Sequence, residues 1–151
     1  MANVELTKRE IIKCLDDRKM KYGVSGNAIT LSLKIEGNLQ ECKEVILIDE
    51  GGIIFAVGCP LKATKEVYNN VVEYLTRANF GMKIGAFQFD YTSGEIRFNS
   101  YLYVSTDIPS SEDIVRYIFI GFYVMQRYGG GLVKSLMGFG EPEKDIAELE
   151  K

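Results

Sequence analysis

The sequence contains no histidine. This absence excludes Ser-His and Cys-His catalysis, and it excludes histidine metal sites. The stretch "YGGGLVKS" places Lys134 and Ser135 after glycines, but Val133 stands where a phosphate-binding loop has glycine. We therefore interpret the glycines at residues 129–131 as the end of a helix. We expect a protein that is not an enzyme and that holds no cofactor and no metal.

Cysteines and long apolar runs are also scarce. The three cysteines, Cys14, Cys42 and Cys59, lack metal-ligand spacing, and their odd number fits a reducing compartment. Cys59, just before a proline, is the one that we would test with a thiol reagent. The longest near-apolar run, residues 114–125, contains an arginine and is shorter than the roughly 20 residues that span a bilayer. With no signal-peptide pattern at the start, we expect a cytoplasmic protein without membrane contact.

The elements that are present follow the order α-β-β-β-α-β-β-α, with a small final helix. A first helix is predicted over residues 8–21, with Thr7 and Glu10 as a capping box and Gly23 beyond its end. "AITLSLKIE" alternates apolar and polar residues, which is typical of a half-buried strand. Further strands are predicted within residues 43–49 and at "IIFAVG". Because short turns join these strands, we expect an antiparallel meander.

The second half of the chain predicts two longer helices around a hairpin. One helix is expected over residues 64–79 from its apolar spacing. After the hairpin, Ser110 or Ser111 is the predicted N-cap of a strongly apolar third helix that ends at residues 129–131. Pro142 suits the first turn of the final helix.

Together these elements define an α+β fold, with an antiparallel sheet of about five strands and helices packed on it. The length of 151 residues favours one domain, residues 1–151. Hydrophobic residues make up 46% and charged residues 26%, as in ordinary globular proteins. The net charge of −3 argues against nucleic acid as a partner.

The hairpin "MKIGAFQFDYTSGEIRFNSYLYV" is the region that most strongly indicates binding. We predict a three-residue loop, Thr92-Ser93-Gly94, with Gly94 in the left-handed conformation and Tyr91 opposite Glu95. The predicted core face carries Met82, Ile84, Ala86, Phe98, Ser100, Leu102 and Val104. The predicted outer face carries Lys83, Phe87, Phe89, Tyr91, Arg97, Asn99, Tyr101 and Tyr103.

Aromatic rings interleaved with charges are typical of binding patches. We interpret the outer face as a partner-binding surface, with Asn99 as the one member that we do not assign to it. The alternatives are that another segment of the same chain covers this face, or that it stacks RNA bases. The sequence lacks the basic and aromatic signature of RNA-binding domains, which argues against the stacking of RNA bases.

Three segments carry a resemblance to a known family. "LTRANFGMKIGAFQFD", "SGEIRFNSYLYV" and "RYGGGLVKSLMGFGEPEKDI" are similar to segments of the YbjN-type family, described as putative bacterial sensory transduction regulators. These segments lie in the second half of the chain. The resemblance implies a fold like that of type III secretion chaperones, which are small acidic proteins that dimerise and bind polypeptides.

From the residues and the resemblance we expect a non-enzymatic protein-binding or regulatory domain that forms a homodimer, with a protein client as a further partner. The alternative is a small-molecule sensor, with a pocket between the sheet and the third helix lined by Tyr117, Phe119 and Met125.

Overall fold

An antiparallel sheet of six strands carries the helices on one face. The computed structural model describes residues 4–104 and 107–151. The strands are β1 Gly23–Ser25, β2 Ala28–Lys34, β3 Glu41–Ile48, β4 Gly52–Gly58, β5 Ala86–Phe89 and β6 Ile96–Tyr103, in the spatial order β1-β2-β3-β4-β6-β5. The helices are α1 Val4–Asp17, α2 Tyr68–Phe80, α3 Ser111–Leu136 and α4 Pro142–Leu149, with a short 3₁₀ turn at Lys65–Val67.

The predicted α+β class, with helices packed on an antiparallel sheet, is therefore confirmed. The sheet has six strands instead of about five. The additional strand is β1, which pairs Val24 with Ile29 of β2. Its three residues are exposed, so it has no buried alternation from which the sequence could predict it.

The alternation of buried and exposed residues along the strands shows which face of the sheet the helices cover. Along β3, buried residues alternate with exposed or half-buried ones, and the same pattern runs along β4 and β6. We call the helix-packed side the covered face. Its fully buried side chains include Ile29, Ile46, Ile53, Val57 and Phe98.

Helix α1 lies earlier in the chain than predicted. Thr7 is buried inside the helix, so it does not act as the N-cap of a capping box. The helix ends in a Schellman arrangement, in which the Met20 N–H donates to the Leu15 carbonyl and the Lys19 N–H to the Asp16 carbonyl. Lys19 takes the left-handed conformation, with φ 55°, that glycine usually occupies. The sequence prediction placed the end of α1 too late, because it assigned that end to the glycine at residue 23.

Helix α3 passes through the three glycines at residues 129–131, where the sequence had predicted its end. A Cβ atom at Gly131 would lie 2.5 Å from the hydroxyl oxygen of Tyr74, and one at Gly129 would lie 3.0 Å from Leu39 Cδ1. The missing side chains let α2 approach α3 closely. The fully buried Tyr74 donates its hydroxyl hydrogen to the Tyr128 carbonyl at 2.6 Å. Gly129 and Gly131 therefore form a packing groove and not a helix stop, while a Cβ atom at Gly130 would meet open space.

Other helix predictions hold. Ser110 is the N-cap of α3, because its side-chain oxygen accepts from the Asp113 N–H at 3.1 Å. Pro142 occupies the first turn of α4. A Cβ atom at Gly121 would overlap Val57, so close packing of α3 on β4 explains this glycine. In the described ranges, none of the helices is both long enough and apolar enough to cross a membrane.

Candidate partner-binding surface

The β5–β6 hairpin differs by one residue from the predicted register. Asp90 and Glu95 close the loop, with the Asp90 N–H donating to the Glu95 carbonyl, and Phe89 pairs with Ile96. Four residues therefore lie in the loop instead of three. Gly94 does take the left-handed conformation, with φ 80°. A slip of one residue turns every side chain of one strand to the opposite sheet face.

The slip places Phe87 in the core, which corrects its assignment to the outer face. Phe87 pairs with Phe98, is 5% exposed, and its ring meets the Phe98 ring edge-on at 5.6 Å between centroids. Asn79 at the end of α2 fixes this orientation. Its side-chain oxygen accepts from the Phe87 N–H at 2.7 Å, and its side-chain nitrogen donates to the Phe87 carbonyl at 3.1 Å. Conversely, Ala86 was predicted on the core face, but it pairs with Asn99 and lies on the opposite face of the sheet.

Three further members of the predicted surface also lie on the helix side. Phe89 is half-buried and Tyr91 is exposed, and both rings meet Tyr68 at the start of α2, with centroid distances of 4.9 Å and 5.9 Å. Lys83, in the connection before β5, lines a groove with Arg127 of α3. The predicted surface is therefore divided between two sides of the sheet.

The remaining members stay together on the other side. Arg97, Tyr101 and Tyr103 alternate along β6 with the buried Phe98 and Ser100, so they project from the sheet face opposite the helices. Tyr101 is 48% exposed and Tyr103 is 71% exposed. None of the described helices packs on this side.

We call this side the open face, and its centre is apolar. Leu47, Ile54 and Tyr101 are directly paired across β3, β4 and β6. The next cross-strand row contains Val45 and Ala56, both half-buried. The open face comprises Lys43, Val45, Leu47, Ile54, Ala56, Arg97, Asn99, Tyr101 and Tyr103.

Charge is distributed unevenly along the open face. Lys43 and Arg97 lie in one row on either side of Gly58, whereas Lys62 beyond the end of β4 is paired with Glu95, its Nζ 3.4 Å from Glu95 Oε1. At the opposite end, the exposed acids Asp49 and Glu50 occupy the β3–β4 turn. The face therefore has a basic end, an apolar centre and an acidic end.

The Tyr101 ring is held against the sheet. A Cβ atom at Gly52 would lie 2.7 Å from the Tyr101 hydroxyl oxygen, so the ring lies across this glycine. The Asp49 carboxylate accepts from the Gly51 and Gly52 N–H groups at 2.7 Å and 2.9 Å, which fixes the turn under the ring. An aromatic side chain that is already ordered loses little further freedom when it is covered.

The aliphatic residues of the open face were missed at the sequence level. A signal for them was present in "EVILI" and "IIFAV", which are apolar at successive positions and not at alternate ones. Such runs are typical of strands with both faces covered. The described helices cover only one of the two faces, so they leave this second apolar set uncovered.

The residues of the alternative small-molecule pocket serve in packing. Tyr117 lies against Phe55, with ring centroids 5.6 Å apart, and Met125 is fully buried. Phe119 is half-buried and packs against the same core.

Comparison of the chain with family models, with curated proteins and with solved structures yields no match. Its resemblance to the YbjN-type family stays a prediction.

Proposed function

We propose that this chain is a non-enzymatic, cytoplasmic protein-binding domain that self-associates through the open face of its sheet. The observation that carries the proposal is the apolar row Leu47–Ile54–Tyr101, which lies on a sheet side that no described helix covers. Contiguous apolar surface of this kind marks interaction sites in soluble proteins. Homodimer formation also agrees with the resemblance to YbjN-type proteins and to secretion chaperones.

The size of the open face suits a dimer. On β2, Ala28, Thr30 and Ser32 lie beside Leu47, Val45 and Lys43 and extend the open face by one strand. Strands β2, β3, β4 and β6 have seven or eight residues each. With strands about 4.8 Å apart and a rise of about 3.4 Å per residue, they span a plan area of roughly 500 Å². Side-chain relief makes the accessible area larger, close to the roughly 800 Å² per partner of a stable interface.

The charge distribution favours a second copy as the occupant. The two copies can be related by a two-fold axis that lies in the plane of the interface and runs perpendicular to the strands. This axis places the basic end of one copy against the acidic end of the other. Lys43 and Arg97 then meet Asp49 and Glu50 of the second copy, while the two apolar centres meet each other. A two-fold contact must be self-complementary in this way. Two sheets packed face to face with roughly aligned strands form a common arrangement.

The test is the molar mass of the full chain by size-exclusion chromatography with light scattering. We expect a dimer for the wild type and a monomer for Leu47→Asp, since a carboxylate in the apolar row would be desolvated without a partner. The matched control is Tyr123→Asp, which replaces an exposed residue of α3 on the other side of the molecule and is expected to stay dimeric. A wild type that is monomeric at all concentrations, or a dimeric Leu47→Asp, would contradict the proposal.

A small-molecule sensor is the second candidate, and one observation favours it. The basic end of the open face forms a trough lined by Lys43, Lys62 and Arg97 and also by the carboxylates of Asp90 and Glu95. Such a mixed lining suits a small polar molecule that carries both charges and an apolar part. If this second candidate is correct, the wild type is a monomer. A screen of metabolites then finds a ligand that raises the Tm of the wild type, and the same ligand does not raise the Tm of Lys43→Gln.

A further inference from the structure

Two cysteines that are far apart in sequence become neighbours in the sheet. Lys43 of β3 pairs with Gly58 at the end of β4. Cys42 precedes Lys43 and Cys59 follows Gly58, so extending the antiparallel register by one position brings the two cysteines opposite each other. Side chains alternate, so both project to the covered face, as do Glu44 and Val57 two positions away. Burial, and after it the Cys59 thiol, raises the pKa of the Cys42 thiol.

Hydrogen bonding shows which kind of cross-strand pair this is. The Cys59 N–H donates to the Ile96 carbonyl of β6 at 2.9 Å, so the backbone of Cys59 turns away from β3. At the other end of the β3–β4 ladder, the Asp49 N–H donates to the Gly52 carbonyl, which marks a hydrogen-bonded pair. Pairs of the two kinds alternate along a ladder. Counting from that pair makes Cys42 and Cys59 a non-hydrogen-bonded pair.

This pairing has the spacing that a disulfide needs. In non-hydrogen-bonded pairs the Cα atoms are about 4.5 Å apart and the side chains approach each other most closely. Disulfides form at Cα separations of roughly 4.4 to 6.8 Å. The regular spacing of such a pair therefore lies within the range of a disulfide.

We propose that Cys42 and Cys59 are a cross-strand dithiol that low-molecular-weight disulfides oxidise to an intramolecular disulfide. In the first step the Cys59 thiolate attacks one sulfur of the small disulfide, which releases one thiol and leaves a mixed disulfide on Cys59. The Cys42 thiolate then attacks the Cys59 sulfur and releases the second thiol. The small disulfide is reduced to two thiols, and the two cysteines are oxidised.

Burial determines the order of these steps. Cys59 is half-buried and lies where the chain leaves the sheet, whereas Cys42 is 2% exposed. Only Cys59 is open to an external disulfide, and Cys42 serves as the resolving thiol. Burial raises the pKa of both thiols, that of Cys42 to about 12, so the thiolates are rare at neutral pH and closure is slow.

The third cysteine supplies a matched control. Cys14 is buried in α1, and its thiol contacts the Ser111 carbonyl of α3 at 3.9 Å. It lies outside the β3–β4 ladder and has no cysteine opposite it. The dithiol therefore consists of Cys42 and Cys59, and Cys14 takes no part in its oxidation.

The test is incubation of the reduced full chain with oxidised glutathione, followed by intact-mass measurement and peptide mapping. We expect the wild type and Cys14→Ala to lose the mass of two hydrogen atoms, with a bridge that joins the peptides of Cys42 and Cys59. We expect Cys42→Ala to stop at the mixed disulfide on Cys59, and Cys59→Ala to keep its thiols. The bridge should raise Tm by roughly 5 °C, since it closes a loop between the two strands.

Two results would overturn the proposal. One is a wild type that keeps both thiols, or forms only a mixed disulfide with glutathione, at the highest ratio of oxidised to reduced glutathione and after the longest incubation. The other is a bridge that includes Cys14. Circular dichroism of each variant checks its fold, so that a loss of oxidation through misfolding is recognised.

Discussion

The covered and open faces of the sheet are built from the same strands, often from adjacent residues. On β3, Ile46 is fully buried beneath the helices, while its neighbour Leu47 is 44% exposed on the other side. On β6, Phe98 is fully buried and Tyr101 is 48% exposed. An antiparallel sheet with one solvated face usually alternates apolar and polar residues. The centre of the open face departs from that pattern, as the proposed self-association through this face requires.

The largest expected effect comes from truncating matched neighbours on β3. Ile46→Ala should lower the free energy of unfolding by roughly 2 to 5 kcal/mol, because it leaves a cavity in the core. Leu47→Ala should cost less than about 1 kcal/mol in the monomer, because its side chain is half solvated. Urea unfolding at a concentration where the chain is monomeric measures both. Equal losses would show that the two faces are not different.

The second prediction concerns Glu44, a charged residue that is buried in the covered face. Glu44 is 0% exposed, and neither of its carboxylate oxygens has a hydrogen-bond partner. Desolvation raises its pKa well above the ordinary value of 4.5. Glu44→Met, which keeps a similar volume, should therefore raise the free energy of unfolding at pH 7 by roughly 1 to 3 kcal/mol.

The pH dependence of that gain has a definite sign. Because the folded pKa is raised, the folded state holds the proton more tightly than the unfolded chain. The wild type keeps this stability below pH 4.5 and loses it as the pH rises toward the folded pKa. The advantage of Glu44→Met should thus grow between pH 4 and pH 7, as measured by urea unfolding at several pH values. An advantage that is constant with pH would contradict the desolvation argument.

The smallest expected effect tests the groove in α3. Tyr74→Phe removes the hydroxyl that donates to the Tyr128 carbonyl but keeps the ring over Gly131. The loss should be about 1 kcal/mol, which is typical of one buried hydrogen bond. Thermal unfolding measures it, with Tyr123→Phe on the exposed side of α3 as the control. A loss no larger than that of the control would show that ring packing alone holds α2 on α3.

The sequence predicted the element types well, since periodicity and capping residues act locally. The alternation of β2, the N-cap Ser110 and the first-turn Pro142 all led to correct elements. One error had a non-local cause. Gly131 of α3 is explained by Tyr74, which lies more than fifty residues earlier in the chain, and Gly129 by Leu39. Helix propensity alone therefore predicted a stop that packing overrides.

The candidate surface was predicted only in part. Arg97, Tyr101 and Tyr103 were placed correctly on one face because alternation along β6 is clear. Phe87 was misplaced, since the loop length that sets the hairpin register depends on whether Asp90 or Tyr91 closes it. The pairing of Cys42 with Cys59 also depends on register, so spacing in the sequence did not reveal it.

The most direct test of self-association through the open face is photo-crosslinking of the purified chain. Tyr103→p-benzoylphenylalanine places a reactive group at the exposed rim of the open face, and the same replacement at Tyr123 provides the control on α3. We predict a covalent dimer from position 103 only, joined to a peptide of a second copy that contains Lys43 or Arg97. No covalent dimer from position 103, or equal crosslinking from position 123, would contradict the account.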